Sequence, residues 1–341
     1  MTTLELNTTR GRRTFQNMGS FLALVILCAV MSLLTPNFLT MSNVANIFKQ
    51  GAVNALLSVG MLFCLITAGI DLSVGANAIT CTCVIGMLHQ NGVTNTFVLI
   101  AAAILTGTLI GFVNGTLLTR LHLPHPFVST LGMKNMLAGI ALLLVGSRMV
   151  SGFGEGIMWL GSEMWFKTEV FPGFPVSYLL VIVLYILMHI LLANTTLGRS
   201  IYTVGGNREA ARLSGINSAN VLTFCYTISG FMAALAGIVL IGRGGIANGA
   251  NAIQPYDTEA IAACIIGGAS FMGGKGTMLG TLIGVMIITV LKNGLTIMAA
   301  SSAIQNVVIG AVIIIAVLID VVRGRLEEQR KRQLTQKRQA A

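Results

Sequence analysis

Charged residues are scarce in this chain. Asp, Glu, Lys and Arg make up only 9% of it, whereas about a quarter of a typical globular domain is charged. Hydrophobic residues reach 55% and the mean hydropathy is +0.84, more apolar surface than a soluble domain of this length could bury. The composition therefore predicts an all-α polytopic membrane protein. A β-barrel is excluded, because its strands alternate polar and apolar residues, whereas the apolar runs here are continuous.

Residues that carry chemistry are equally few. The four histidines are scattered, and the six cysteines lie in apolar runs without a Cys-x-x-Cys pair, so we predict no metal site and no disulfide. No nucleophile stands beside a base and an acid, which predicts that the chain is not an enzyme. The sequence GGKGT lacks the Ser or Thr that follows the lysine of a phosphate-binding loop, since Gly276 follows Lys275. We therefore expect no cofactor in this chain.

Ten apolar segments are long enough to suggest membrane helices. They cover about 18–35, 51–69, 73–90, 96–119, 126–146, 176–193, 220–242, 257–272, 277–298 and 303–322. The residues before the first segment carry three arginines, but the segment is longer than a signal peptide core and no small-residue cleavage site follows it. We interpret it as a retained first helix.

The basic residues predict the orientation. If the N-terminus is cytoplasmic and the ten segments alternate, fifteen basic residues fall inside and four outside, as the positive-inside rule expects. The net charge of +10 therefore reflects topology, and no nucleic-acid partner is predicted. The domains expected are a cytoplasmic segment at 1–17, a transmembrane domain at 18–323 and a basic cytoplasmic tail at 324–341, near anionic membrane lipid.

Two stretches outside the apolar segments have distinctive patterns. Residues 41–50 predict a short interfacial helix on the outer face. The long outer loop, 147–175, holds Trp159 and Trp165 among several phenylalanines, which are either membrane anchors or a docking surface for a partner.

The pentapeptide GTLIG occurs twice, and each copy belongs to a series of glycines spaced four residues apart. Such series allow close helix packing. They are Gly107, Gly111 and Gly115 in the fourth segment, and Gly276, Gly280 and Gly284 in the ninth. The repeated pentapeptide would pair helices 2–5 with helices 7–10. An offset of five helices reverses orientation, so the pattern suggests an inverted repeat.

Three segments are interrupted by glycine, proline or acids. At 69–75, Asp71 lies between glycines, either at a helix break that lines a cavity or at a solvated turn, and Ser73 could cap the next helix. Prolines flank His125, which is interpreted as a loop residue. Asp257 and Glu259 open a short apolar helix, where negative charge suits the helix dipole.

The stretch 198–215, GRSIYTVGGNREAARLSG, is the longest polar interval between two apolar halves. It contains three arginines and one acid, and glycines punctuate its short helical core. Such a loop in a membrane protein suggests a docking place for a soluble partner. The arginines could also reflect positive-inside topology alone.

Four motifs in order, at 69–75, 126–132, 198–216 and 259–277, resemble the permease subunits of bacterial ABC importers for ribose and related simple sugars. The resemblance covers about residues 20–323. It implies a ten-helix permease of the bacterial inner (plasma) membrane, and the basic residues predict that both termini are cytoplasmic. It further implies a second permease copy, identical or related, separate ATPase subunits that use ATP and Mg²⁺, and a sugar-binding protein at the outer face.

The resemblance assigns ATPase coupling to the central loop, whose EAA triplet and later glycine look like the importer coupling loop. The residues concerned are Arg199, Gly206, Asn207, Glu209, Ala210, Ala211 and Gly215. The Ile-x-Leu-Pro sequence found in some importer classes is missing. The family often reads Glu-Leu-Asp where this chain has Asp257, Thr258 and Glu259, so roles carried by those acids are in doubt.

The substrate path is predicted from polar or aromatic groups near the breaks, each of which could instead satisfy a neighbouring helix. These residues are Asp71, Ser73, Asn77, Asn114, Phe127, Ser129, Thr130 and Asn293. The alternative function is an ion-coupled secondary transporter of a small polar solute, in which Asp71 would bind the ion and pair with Lys134 or Lys292. A lipid-modifying enzyme is not favoured, because the chain lacks clustered catalytic groups. A membrane scaffold is not favoured either, because it would give the four motifs no function.

Overall fold

The computed structural model describes residues 3–121, 123, 125–169 and 171–339, with side chains between 18 and 322. The side chains of the predicted terminal segments, 1–17 and 324–341, thus lie outside the described residues. The described ranges contain thirteen α-helices. They are α1 (Thr3–Leu34), α2 (Met41–Ile66), α3 (Val74–Gln90), α4 (Thr96–Thr119), α5 (Pro126–Leu144), α6 (Glu155–Ser162), α7 (Val176–Asn194), α8 (Thr196–Gly206), α9 (Arg208–Leu213), α10 (Ser218–Gly244), α11 (Tyr256–Ile266), α12 (Met278–Ile297) and α13 (Ser302–Gln339).

Short strands complete the fold. Strand β1 (Val150–Ser151) pairs antiparallel with β4 (Ile246–Ala247), which ties the 147–175 loop to the end of α10. Strand β2 (Met164–Trp165) pairs antiparallel with β3 (Phe174–Pro175) inside that loop. A 3₁₀ helix at Gly249–Ile253 leads into α11.

The polytopic membrane class is confirmed. Among the described residues, seven helices are long and apolar enough to cross a membrane, and the apolar part of α1, Met18–Leu34, is shorter. Every predicted apolar segment coincides with a helix. However, α3 has 17 residues and α11 only 11, so α11 extends about 16 Å and does not cross a bilayer alone.

Helices α2 and α10 form the centre of the molecule. They are the most buried of the candidate spans, whereas few side chains of α4, α5 and the 302–322 part of α13 are buried, as in lipid-facing helices. The two central helices touch at Gly60, where an added Cβ would lie 2.6 Å from Ser229 Cα. Helix α4 packs against α10, and α12 packs against α2.

The prediction of a separate interfacial helix at 41–50 is wrong. Helix α2 begins at Met41, is capped by the Thr40 hydroxyl, and continues unbroken to Ile66. Lys49 and Gln50 made residue 50 look like a boundary, but both side chains face a polar cleft inside the protein. The helix can therefore continue through them.

The two glycine series contact different partners. A Cβ at Gly107 would lie 2.7 Å from the Gly230 carbonyl oxygen, and Gly111 and Gly115 likewise meet the backbone of α10. Gly280 and Gly284 instead meet the backbone of α11 and the turn after it. Gly276 precedes α12, with φ of +152°, so the predicted second series is not continuous along a helix.

Gly111→Val should destabilise the fold by about 1–3 kcal/mol, because the new side chain would overlap the Tyr226 carbonyl group, and backbone cannot move aside as a side chain can. Denaturant unfolding in detergent, followed by circular dichroism, measures the effect. Gly139→Val is the matched control, since a Cβ at Gly139 meets no atom within 4 Å. Equal unfolding midpoints for the two variants would contradict the close α4–α10 contact.

Candidate functional site

Helices α8 and α9 form one face of the molecule. The Thr195 hydroxyl accepts a hydrogen bond from Gly198 N at 3.0 Å and so starts α8, and Asn207 Oδ1 accepts one from Ala210 N at 2.9 Å and so starts α9. Gly215 ends the unit with φ of +78°, a conformation that favours glycine. The polar stretch thus folds as two helices joined at Asn207.

The α9 surface is exposed and charged. Glu209 accepts hydrogen bonds from Arg212 Nη2 at 2.6 Å and from Arg212 Nε at 3.1 Å. This pairing holds the pKa of Glu209 below its ordinary value, so the ion pair is present at neutral pH and is lost as the pH falls through that lowered pKa. A shallow concavity of about 480 Å³ lies beside α9, lined in part by Arg208, Glu209 and Gly215.

The seven residues assigned to ATPase coupling occupy this one face. Arg199, Gly206, Asn207, Glu209, Ala210 and Gly215 are exposed, whereas Ala211 is buried beneath α9. Sequence reasoning missed Leu213, whose side chain is 75% exposed at the end of α9. The sequence feature that could have identified Leu213 is an isolated apolar residue within a polar stretch.

Helix α8 is joined to the protein centre by close backbone contacts. Gly205 abuts the Ile66 carbonyl oxygen at the end of α2, and the same oxygen accepts a hydrogen bond from Gly274 N at 2.8 Å. Tyr202 Oη donates to the Gly276 carbonyl at 2.8 Å. The α8–α9 unit, the end of α2 and the glycine turn 273–276 therefore form one contiguous structure.

Asp71 is buried and hydrogen-bonded in the break between α2 and α3, so the predicted helix break is present and the alternative of a solvated turn is wrong. Its side chain accepts from Ser73 N at 3.0 Å, from Ser73 Oγ at 2.6 Å and from Ser229 Oγ at 2.7 Å. The Ser73 hydroxyl makes no capping bond to α3, contrary to prediction, and accepts from Asn114 Nδ2 at 2.8 Å. This network joins the α2–α3 connection to α4 and α10.

The other predicted path residues are dispersed. Asn77 Nδ2 donates to the Gly107 carbonyl at 3.2 Å, and Asn293 exchanges amide hydrogen bonds with Asn43 at 3.0 Å. Ser129 and Thr130 donate to the Pro126 carbonyl, and Phe127 is 47% exposed. His125 caps α5 by accepting from Phe127 N at 3.2 Å. The structure does not bring the eight residues together around one cavity.

The N-terminal ends of α3 and α11 meet inside the protein. A Cβ at Gly75 would lie 2.9 Å from Tyr256 Cβ. The two acids of the first turn of α11 are buried, and each pairs with a lysine of another helix. Lys134 Nζ of α5 lies 2.8 Å from Asp257, and Lys292 Nζ of α12 lies 2.6 Å from Glu259. These lysines are thus not partners of Asp71.

A polar cleft of about 470 Å³ lies at the end of the molecule opposite α8 and α9, between α2, α10, α11 and α12. Its lining includes Lys49, Asn54, Arg243, Tyr256, Glu259 and Lys292. None of these was predicted as a path residue. A signal existed on α2, where Asn46, Gln50 and Asn54 recur every fourth residue and so lie on one helix face. Within the described residues, no cluster of His, Cys, Asp or Glu could hold a metal ion.

A helical membrane core with the exposed α8–α9 unit on one face and a polar cleft on the other is an arrangement suited to a membrane transport protein. The chain belongs to the family described as branched-chain amino acid transport system / permease component, which matches residues 43–317. No solved structure matches the chain significantly.

Curated relatives match over nearly the whole chain. The ribose import permease protein RbsC of Bacillus subtilis is 39% identical, with 94% of this chain and 98% of the relative covered. The D-allose transport system permease protein AlsC of Escherichia coli is 37% identical, covering 89% and 90%. The galactose/methyl galactoside import permease protein MglC of Salmonella typhimurium is 34% identical, covering 89% and 93%.

Proposed function

We propose that this chain is the membrane-spanning permease subunit of an ATP-binding-cassette importer that carries a monosaccharide into the cell. The observation that carries the proposal is the α8–α9 unit, in which the EAA-type sequence forms an exposed helix tied to the end of α2. The names of the relatives, which import ribose, allose and galactose, support a sugar as cargo. ATP and Mg²⁺ are used by a separate ATPase subunit.

The α9 surface is the docking site for that ATPase. The Glu209–Arg212 pair and the neighbouring Arg208 offer charges, the concavity beside α9 offers shape, and Leu213 offers an exposed apolar contact. An ATPase that moves when it binds nucleotide would displace α9, α8 and the end of α2 together, because Gly205 leaves no gap at Ile66. The face that carries α9 is therefore cytoplasmic in this proposal.

The same assignment places both termini in the cytoplasm and the 147–175 loop outside, in the inner membrane of a bacterium. A sugar-binding protein would deliver substrate at that outer face, where Trp159 and Trp165 are exposed. A second permease copy, identical or related, would complete the importer. Anionic lipid would contact the basic ends of the chain.

The proposed architecture has ten membrane-embedded helices, of which α2–α5 and α10–α13 form an inverted repeat. Reciprocal packing supports the repeat, since α4 lies on α10 as α12 lies on α2, and both halves contain a short second helix. The repeated GTLIG sequence does not support the inverted repeat, because its two copies occupy different positions in their helices. Gly107 is well inside α4, whereas Gly280 lies in the first turn of α12. Rocking of the two halves would open the path alternately to each side.

The ion-coupled alternative is not favoured. It requires Asp71 as an ion site with a lysine partner, but Asp71 is satisfied by Ser73 and Ser229, and both candidate lysines pair with acids of α11. The predicted path residues other than the exposed Phe127 keep a role in this proposal as buried polar groups between the half-structures.

Affinity purification of the tagged chain from mild detergent, followed by mass spectrometry, tests the proposal. We expect an ABC ATPase to copurify with the intact chain and to be lost when 198–215 is replaced by a neutral linker of equal length. If the chain purifies alone, and reconstituted vesicles take up sugar with an ion gradient but without ATP, the importer assignment is wrong.

A further inference from the structure

The polar cleft opposite α9 is rich in positive charge and hydrogen-bond donors. Three basic side chains, those of Lys49, Arg243 and Lys292, line it together with one acid, Glu259. Lys292 is neutralised by Glu259 at 2.6 Å. Lys49 and Arg243 repel each other, and neither has an acidic partner in the described part of the chain. The cleft therefore presents two positive charges that have no ion-pair partner.

A second observation points to a ligand in the same cleft. Asn54 is 6% exposed, and its Oδ1 accepts a hydrogen bond from Ser58 Oγ, but its Nδ2 has no partner. A buried amide donor without an acceptor is costly and rare. An oxygen atom of a bound molecule would satisfy it.

The cleft also has the size and the surfaces that a monosaccharide needs. Its volume of about 470 Å³ exceeds that of a six-carbon sugar and leaves room for water. The ring of Tyr256 forms part of the wall and can cover an apolar sugar face, and Glu259 can accept a hydroxyl hydrogen. A neutral sugar would satisfy Asn54 but would leave Lys49 and Arg243 uncompensated.

We infer that this cleft binds a monosaccharide that carries a carboxylate, held by Lys49 and Arg243, with a hydroxyl or ring oxygen accepting from Asn54 Nδ2. The inference rests on the proposed function, because it names the sugar class that the importer would carry. It assigns specificity to residues of the permease itself.

D-Galacturonate and D-galactose form a matched probe pair, since they differ only in oxidation at carbon 6. Binding to the full chain in lipid nanodiscs can be followed by isothermal titration calorimetry. We expect galacturonate to bind about tenfold tighter than galactose, because solvent weakens the charge-assisted contacts of its carboxylate with Lys49 and Arg243 at this partly open site. D-Galactose 6-phosphate is the third probe and separates a carboxylate site from a phosphate site.

Two variants and one control test the roles of the residues. Lys49→Gln combined with Arg243→Gln should remove the preference, so that galacturonate and galactose bind the variant with equal affinity. Asn54→Leu should weaken both sugars by a similar factor, because its contact is neutral. Lys167→Gln, on the exposed 147–175 loop, removes a lysine remote from the cleft lining and should keep the preference.

Several outcomes would overturn the inference. They are equal affinity for galacturonate and galactose, a preference that survives in the double variant, tighter binding of the phosphate with no preference for galacturonate, and no binding of any probe. The first three leave the sugar permease assignment intact. Absence of binding counts against that assignment only if the ATPase also fails to copurify with the same preparation.

Discussion

We expect ATP-driven sugar uptake to fall by at least about tenfold in Glu209→Lys, while the chain still inserts in the membrane. The substitution replaces a carboxylate in the first turn of α9, where negative charge favours the helix dipole, with a cation. It also exchanges the 2.6 Å contact with Arg212 for repulsion between two positive charges. Uptake in cells and copurification of the ATPase measure coupling, and membrane fractionation measures insertion.

Glu163→Lys is the matched control for this experiment. Glu163 is also an exposed acid, and it forms an ion pair with Lys167, four positions later in the chain, at 3.1 Å. It lies on the face of the molecule opposite α9. The control should retain the ATPase in copurification. Normal uptake and a bound ATPase in Glu209→Lys would contradict the role of α9 in docking.

Lys134→Met should destabilise the protein by about 3–5 kcal/mol, because it leaves the buried carboxylate of Asp257 without its lysine. Asp257 Oδ1 already lacks a hydrogen-bond partner, so the 2.8 Å contact from Lys134 to Oδ2 is the ion pair that compensates this charge in the described structure. Unfolding midpoints in detergent measure the loss.

A second variant separates charge from packing. Adding Asp257→Asn to Lys134→Met removes the unpaired charge and should recover most of the lost stability. Lys167→Met, which breaks an exposed pair, should change stability by less than about 1 kcal/mol. If the double variant is as unstable as Lys134→Met alone, the effect comes from lost packing and the ion pair is not its cause.

Local sequence patterns predicted the helices well, because their signals are local. Each predicted apolar run coincides with a helix, and the glycines beside Asp71 located the break before α3. The stretch 198–215 folds with the short helical core that was expected, because Thr195, Asn207 and Gly215 provide its helix caps. The same local reasoning wrongly placed a helix boundary at residue 50, because the polar side chains there face a cleft inside the protein.

The candidate site was less predictable, because its partners are distant in sequence. Lys134 and Asp257 are 123 positions apart, and Asp71 meets Ser229 across 158 positions. No pattern in a single sequence specifies which lysine reaches which acid. The four-residue period of Asn46, Gln50 and Asn54 was readable, but recognising it as a cleft lining required knowing that α2 lies at the centre.

The unbroken course of α2 gives the molecule a mechanical property. Ile66, held between Gly205 and Gly274, and Lys49, in the cleft, belong to one helix without proline or interruption. Their spacing corresponds to a rod of about 26 Å. A tilt of about 5° imposed at the Ile66 end displaces the Lys49 end by about 2 Å, the scale at which a hydrogen bond is made or lost. In the proposed importer, α2 would therefore transmit a displacement of the α8–α9 unit to the polar cleft at the other end of the molecule.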